Sequence, residues 1–410
     1  MTLMLMRPEM RRSSYLYFVI GLMQAAYLPF AGIVLRDRGL SFEAIGLIGA
    51  LNSVVALAAG PIWGHLGDAV LGRSTAFRLA VISAAIGVVL FAVGPFAGLP
   101  GAALAAFAGA GLVPLLDSIG MEQLARVGGQ WGPLRAITSF SYAVMCILSG
   151  ALVASGGAIM IAPLYAITAL ILILGTVGLH TAPALGHGAR PTQSEAEAEV
   201  ERSEIAGPNA EIAVAGDWRD RFGTMTLAFQ QSPKLFSFLA LSLVANVGAG
   251  IFYSYGSFRI QEVGGSAAAV AFGGSVSAAV EIPLFLAGGI IATRLGLRSL
   301  FSFGLVAMGV CSVAYAFIDS PYWLAIARSL VGVGFACTLL ASVLSVREIV
   351  PLALQATGQA LYQSVSYGLA VAIAALVGGI LYGELGAAPL FFLSAVILFG
   401  SIPFAWRVLR

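Results

Sequence analysis

A dozen apolar blocks of membrane-spanning length follow one another along this chain, and that succession leaves few folds open. Crossing a bilayer takes ~20 apolar residues in a helix. Inside hydrocarbon every backbone N–H and C=O needs a partner within the protein, which an α-helix provides by itself. Hydrophobic residues make up 59% of the 410 and charged residues only 10%, where a soluble domain carries about 25% charge. The expected fold class is an all-α membrane protein. Spans are predicted at 14–35, 42–67, 75–95, 101–126, 132–153, 159–179, 235–258, 268–292, 299–317, 321–346, 356–382 and 388–408. Arg7, Arg11 and Arg12 before the first block imitate a signal peptide. No A-x-A site follows and the run reaches Leu35, so a first transmembrane helix is read there.

The one long polar stretch, 181–232, contains Glu195, Glu197, Glu199, Glu201, Arg202, Asp217, Arg219, Asp220 and Arg221. Low hydrophobicity with high charge reads as a mostly disordered linker, with a short surface helix near Asp217–Phe229. It divides the chain into an N-terminal six-helix bundle (1–180), a linker (181–232) and a C-terminal six-helix bundle (233–410). Of the 21 Lys and Arg residues, all but Arg36, Arg38, Arg259 and Arg328 fall on the side of the termini and linker. That asymmetry predicts both termini in the cytoplasm and a multi-pass protein of a plasma membrane, a bacterial inner membrane in particular. A net charge of +2 gives no reason to expect a nucleic-acid partner. Cys146, Cys311 and Cys337 lie inside apolar blocks and read as small packing residues, not as a disulfide or metal set.

The halves repeat. A shift of 225 residues carries Gly39 onto Gly264, Ser41 onto Ser266 and Gly64 onto Gly289. Related halves imply a pseudo-symmetric pair of bundles around a midplane site.

The turn after the second span reads Gly64-His65-Leu66-Gly67-Asp68-Ala69-Val70-Leu71-Gly72-Arg73. It resembles the G-x-L-x-D-R-x-G-R signature of major facilitator superfamily transporters, and the resemblance extends over essentially the full length. Two departures stand out: Ala69 replaces the usual Arg, and one extra residue precedes Gly72. The resemblance implies the major facilitator fold and a gating role for Gly64, Asp68, Gly72 and Arg73. Three further stretches are similar to the branch of lactose permease-like, phenylpropionate transporter-like and nucleoside–proton symporter-like proteins. They are Pro114–Asp117 through Gly132–Arg135, Glu281-Ile282-Pro283, and Ala356–Tyr362 through Tyr367-Gly368.

Charges inside the spans are costly and should face protein, water or ligand. Asp117 and Arg135 are predicted at one depth on neighbouring helices, ~13 Å up each helix from the turn at ~1.5 Å per residue. The resemblance implies that they bind substrate; a structural ion pair between them is the other reading. Glu122, four residues before Arg126, suits a surface pair. Glu281 lies midway along the eighth span, just before Pro283. A carboxyl removed from water is suited to taking up and releasing a proton, so Glu281, with Asp117, is assigned to proton coupling; a buried structural role is the alternative. Arg328 needs an anion, either a carboxylate or the substrate. Lactose permease-like proteins carry a coupling His and Glu in this span, where Val331 and Gly334 stand here. A polar lining is drawn from Gln24, Tyr27, Asn246, Tyr253, Tyr255, Tyr362 and Gln363, because rings with polar tips suit sugars or nucleosides. Tyr367 completes that set. Tyrosines near helix ends also serve as interfacial anchors.

No phosphate loop, metal cluster or catalytic triad is seen, so no enzyme activity, catalytic residue, metal or cofactor is expected. The expected function is secondary active transport of a small polar organic solute (sugar, nucleoside or aromatic acid) by alternating access, as a monomer and by proton-coupled symport. Efflux by antiport and a transport-dead membrane sensor are the alternatives.

Overall fold

The computed structural model describes residues 8–94, 98–127, 132–179, 226–351 and 354–409. Its elements are α1 (Pro8–Ala25), α2 (Ala31–Asp37), α3 (Phe42–His65), α4 (Arg73–Val93), α5 (Gly98–Val127), α6 (Gly132–Gly156), α7 (Ile161–Gly175), α8 (Pro233–Glu262), α9 (Ala267–Leu295), α10 (Leu297–Phe317), α11 (Pro321–Ala327), α12 (Ser329–Ile349), α13 (Gln355–Gln363), α14 (Ala370–Leu385) and α15 (Ala387–Val408). Short π-turns extend α3 and join α13 to α14. Among the described residues there is no strand. Among the described residues eleven helices are long and apolar enough to cross a membrane; the twelfth span is α1 with α2, which is broken. Most of 181–232 lies outside the described residues, although 226–231 are helical.

The break in the first span has a local cause. Pro29 has no N–H to offer the Ala25 carbonyl, so the helix opens over 26–30. The Ser149 hydroxyl of α6 donates to that freed carbonyl at 3.1 Å, so the break is satisfied by a neighbouring helix.

The helices of each half pack mainly among themselves. In the first half α4 lies on α5, α1 on α6 and α3 on α5; in the second, α10 lies on α15 and α12, and α8 on α15. Two main seams join the halves, α6 against α9 and α3 against α14, each an antiparallel pair, with a smaller contact of α2 on α8. The main seams are counterparts in the repeat. The turn glycines repeat as well: Gly39 (φ 82°) answers Gly264 (φ 86°), and Gly72 (φ 78°) answers Gly296 (φ 75°), each in a conformation that favours glycine.

The second glycine pair is offset by 224 residues, one fewer than the first. The surplus residue in the signature turn is absorbed by the π-turn Leu66–Val70, where the Leu71 N–H reaches the Leu66 carbonyl at 2.8 Å. A π-turn accommodates one residue beyond the α-helical count.

The ends of the α3–α14 seam differ, whereas α6 and α9 approach closely at both of theirs: a Cβ on Gly150 would run into the Ala271 Cβ, and one on Gly132 would lie 2.9 Å from the Phe285 carbonyl. Away from the termini, α3 and α14 nearly touch: a Cβ on Gly379 would lie 2.5 Å from the Phe42 carbonyl and 3.0 Å from the Gly46 Cα. Small residues permit this approach. Toward the termini, α3 meets the π-turn before α14, with Leu57 against Gly368, and a Cβ on Gly60, Gly64 or Gly289 would meet nothing within 4 Å.

Candidate functional site

The α6–α9 seam carries the chemistry. Arg135, Ser139, Tyr142 and Cys146 recur at i, i+4, i+7 and i+11, which sets them along one face of α6. The glycines mark where α9 runs: Gly274 lies against Cys146 and Tyr142. The Ser139 hydroxyl donates to the Glu281 carboxylate at 3.1 Å, a polar contact between the halves. Arg135, half-buried one turn earlier, lies near enough to Glu281 for their charges to interact. Tyr142 from α6 and Tyr253 from α8 both come within electrostatic reach of Glu281 and of Arg328. Two carriers of positive charge, one carboxyl and two phenols thus converge between the bundles. Glu281 interrupts an otherwise apolar stretch of α9 that runs unbroken through Pro283.

Asp117 sits behind this cluster. It is 5% exposed, and its carboxylate accepts from the Tyr17 hydroxyl of α1. The Thr138 hydroxyl of α6 donates to the Tyr17 carbonyl at 3.1 Å, so α1, α5 and α6 are knitted around the acid. A buried carboxylate needs such donors.

Asp68 is likewise buried, at 7% exposure, and accepts from the Arg73 Nε at 2.8 Å. Arg73 also lies 3.8 Å from Glu122 on α5. Gly72 in its left-handed conformation reverses the chain between Asp68 and Arg73, and Gly64 lies one turn before Asp68.

Comparison with known proteins agrees with this architecture. The chain matches the MFS_1 like family over residues 10–393. The chain belongs to that family. It is a transporter of the major facilitator type. It is similar to the maltose permease of Geobacillus stearothermophilus, at 26% identity over 384 residues, covering 92% of this chain and 89% of the permease. Among solved structures it resembles the nucleoside transporter NupG (TM-score 0.72, 16% identity, 98% of each chain). It also resembles an auto-inhibited peptide transporter of the POT family (TM-score 0.70, 12% identity, 97% and 96%).

In this transporter, the residues expected to form a polar lining divide into groups. Tyr253 is 40% exposed, and with Asn246 it lines a crevice closed by Phe335, Thr338 and Tyr367. Asn246 also donates to the Ser242 carbonyl at 2.8 Å. Tyr362 is 1% exposed, with its ring against Phe238 and Tyr367. Gln363 is exposed and Gln24 half-buried. Tyr27 packs edge-on against Phe91 and Tyr165 within the first half. Tyr255, 1% exposed, donates to the Ala375 carbonyl at 2.5 Å in the sealed part of the α3–α14 seam. The structure therefore brings Asn246 and Tyr253 toward the central cluster and places Tyr27 and Tyr255 in packing.

Sequence reasoning missed Ser139, Tyr142 and Tyr17. The polar spacing from Arg135 to Cys146 was a readable signal for the first two. Tyr17 had none, because its partner is 100 residues away. Glu122, assigned to Arg126, lies beside Arg73; the Arg126 side chain is outside the described residues.

Proposed function

We propose that this protein is a proton-coupled symporter of a small polar organic solute, working by alternating access as a monomer in a plasma membrane of the bacterial inner-membrane kind. The bundles 1–180 and 233–410 act as the two rocking bodies, with both termini and the 181–232 linker in the cytoplasm. The sealed end of the α3–α14 seam then faces outside, and the central cluster is reached from the cytoplasm. Maltose, nucleosides and peptides, named for its relatives, support a small polar solute as cargo.

The observation that carries the reading is the Ser139–Glu281 hydrogen bond between α6 and α9. A carboxylate accepts from that hydroxyl, and a protonated carboxyl has its own proton to place. Gain or loss of a proton at Glu281 therefore changes an interface that must rearrange when the bundles rock. Arg135, Asp117, Tyr253 and Arg328 form the solute site beside it, while Asp68 and Arg73 hold the turn of the cytoplasmic gate.

The test is uptake into proteoliposomes under an imposed pH gradient, screened with maltose, uridine and small carboxylates. Glu281→Gln is expected to abolish uphill uptake and spare exchange. Uphill uptake at the wild-type rate by that variant would overturn the assignment.

A further inference from the structure

Two arginines of the second half are treated in opposite ways by the fold. Arg259 is 7% exposed and fully employed: its Nε donates to the Tyr315 carbonyl, and its terminal nitrogens reach Glu262, Asp319 and the Ile318 carbonyl. Arg328 stands at the junction of α11 and α12 with its Nε buried and no hydrogen-bond partner. Among the described residues no carboxylate forms an ion pair with it. Its charge lies over the Phe252 ring at 5.6 Å, a contact too weak to stand in for the hydrogen bond that its buried Nε lacks.

The surroundings are shaped to bring this cation to the seam. A Cβ on Gly273 would fall 2.7 Å from the Arg328 Cδ, so any larger residue there would displace the arginine stem where it crosses α9. The next residue, Gly274, faces Cys146 and Tyr142 of the opposite half. Tyr142 and Tyr253 stand within electrostatic reach of the guanidinium. Beside Tyr253 lies the crevice lined by Phe301, Met308, Phe335 and Thr338, narrow in this conformation with room for about one water, so a solute has to widen it on entry.

We propose that Arg328 is the receptor for an anionic group of the solute, which makes the cargo a small organic anion with an apolar body seated in the Phe301–Phe335 crevice. This rests on the transport reading above and narrows its solute class. The charges agree with it: with Glu281 protonated, Arg135 and Arg328 outnumber Asp117 by one, and a monoanion restores neutrality.

The experiment is ligand-induced thermal stabilisation of the purified full-length protein in detergent, with benzoate, its neutral analogue benzamide, the polar dianion succinate, maltose and uridine. Benzoate is expected to stabilise the wild type, and benzamide and succinate far less. Arg328→Gln should weaken benzoate binding roughly 10- to 100-fold, and Arg328→Lys should keep part of it. Gly273→Val, which crowds the arginine stem while keeping its charge, should also weaken benzoate binding and guards against a folding failure of the first variant. Stabilisation by maltose or uridine without benzoate, wild-type benzoate binding in Arg328→Gln, or no response to either anion would each overturn the proposal. Arg328-dependent benzoate binding in a protein that moves no solute in proteoliposomes would remove the transport reading and leave the anion receptor standing.

Discussion

The two ends of the α3–α14 seam are held by different kinds of contact. At the end away from the termini, backbone lies on backbone at Gly46 and Gly379, and the Tyr255 hydroxyl, bonded to the Ala375 carbonyl within the second half, lies against Gly46 of the first. The Phe42 ring inserts between Phe258 and Tyr382, at 5.4 and 4.3 Å between ring centres. Toward its terminal end the ion pairs stay within one half: Arg73 holds Asp68 and approaches Glu122, all in the first bundle. Close apolar packing forms the seal between the bodies, and charge shapes the turn inside one body. A gate of the first kind opens by separating surfaces and leaves no ion stranded, whereas breaking a buried ion pair is expensive.

The sharpest way to break this contrast is to put bulk at the crossing. Gly379→Leu drives a side chain into the Phe42 carbonyl and should cost about 3 kcal/mol, the upper part of the range for overpacking. Uptake should collapse, and a cysteine placed at Ser257 should become labelled from outside by an impermeant maleimide. Asp68→Asn weakens a charge-assisted bond to Arg73 worth about 1.5–3 kcal/mol; the melting temperature should fall while the Ser257 cysteine stays shielded. Phe42→Leu removes two aromatic contacts worth about 0.5–1.5 kcal/mol each and should raise the labelling rate several-fold without lowering the melting point as far as Asp68→Asn. Glu122→Gln is the control. Its carboxylate is 38% exposed and 3.8 Å from Arg73, so the change should stay below about 1 kcal/mol and fade with added salt. Loss of the seal in Asp68→Asn, or a rigid closed protein in Gly379→Leu, would reverse the roles of the two ends.

The spans were legible because membrane helices announce themselves in composition alone: α5 was expected at 101–126 and runs Gly98–Val127, and α15 was expected at 388–408 and runs Ala387–Val408. The first span was legible in extent but not in shape. Pro29 could equally have kinked the helix, and the choice depended on Ser149 reaching the Ala25 carbonyl. The extra residue before Gly72 was visible as a departure, yet only the backbone shows that a π-turn absorbs it. At the site, Glu281 and Arg328 stood out because charge is rare in these helices. The partners that define their chemistry, Ser139 and Tyr142, are uncharged and blend into an apolar helix until its facing neighbour is known.

The interrupted first span leaves α2 as a seven-residue strap fastened on both sides. Arg38 ties it to the end of α4 through the Phe91 and Ala92 carbonyls. Toward the other half, Gly32 lies beneath the Phe258 ring, and Ser257 makes one long bond to the Pro29 carbonyl just before the strap, at 3.4 Å. When the bodies part at this end, the strap should stay with α4 and release α8, turning about the open loop at 26–30. The mouth at this end would then widen by the swing of a short hinged flap as well as by the tilt of whole helices, and stiffening that loop should slow the opening while leaving the closed form intact.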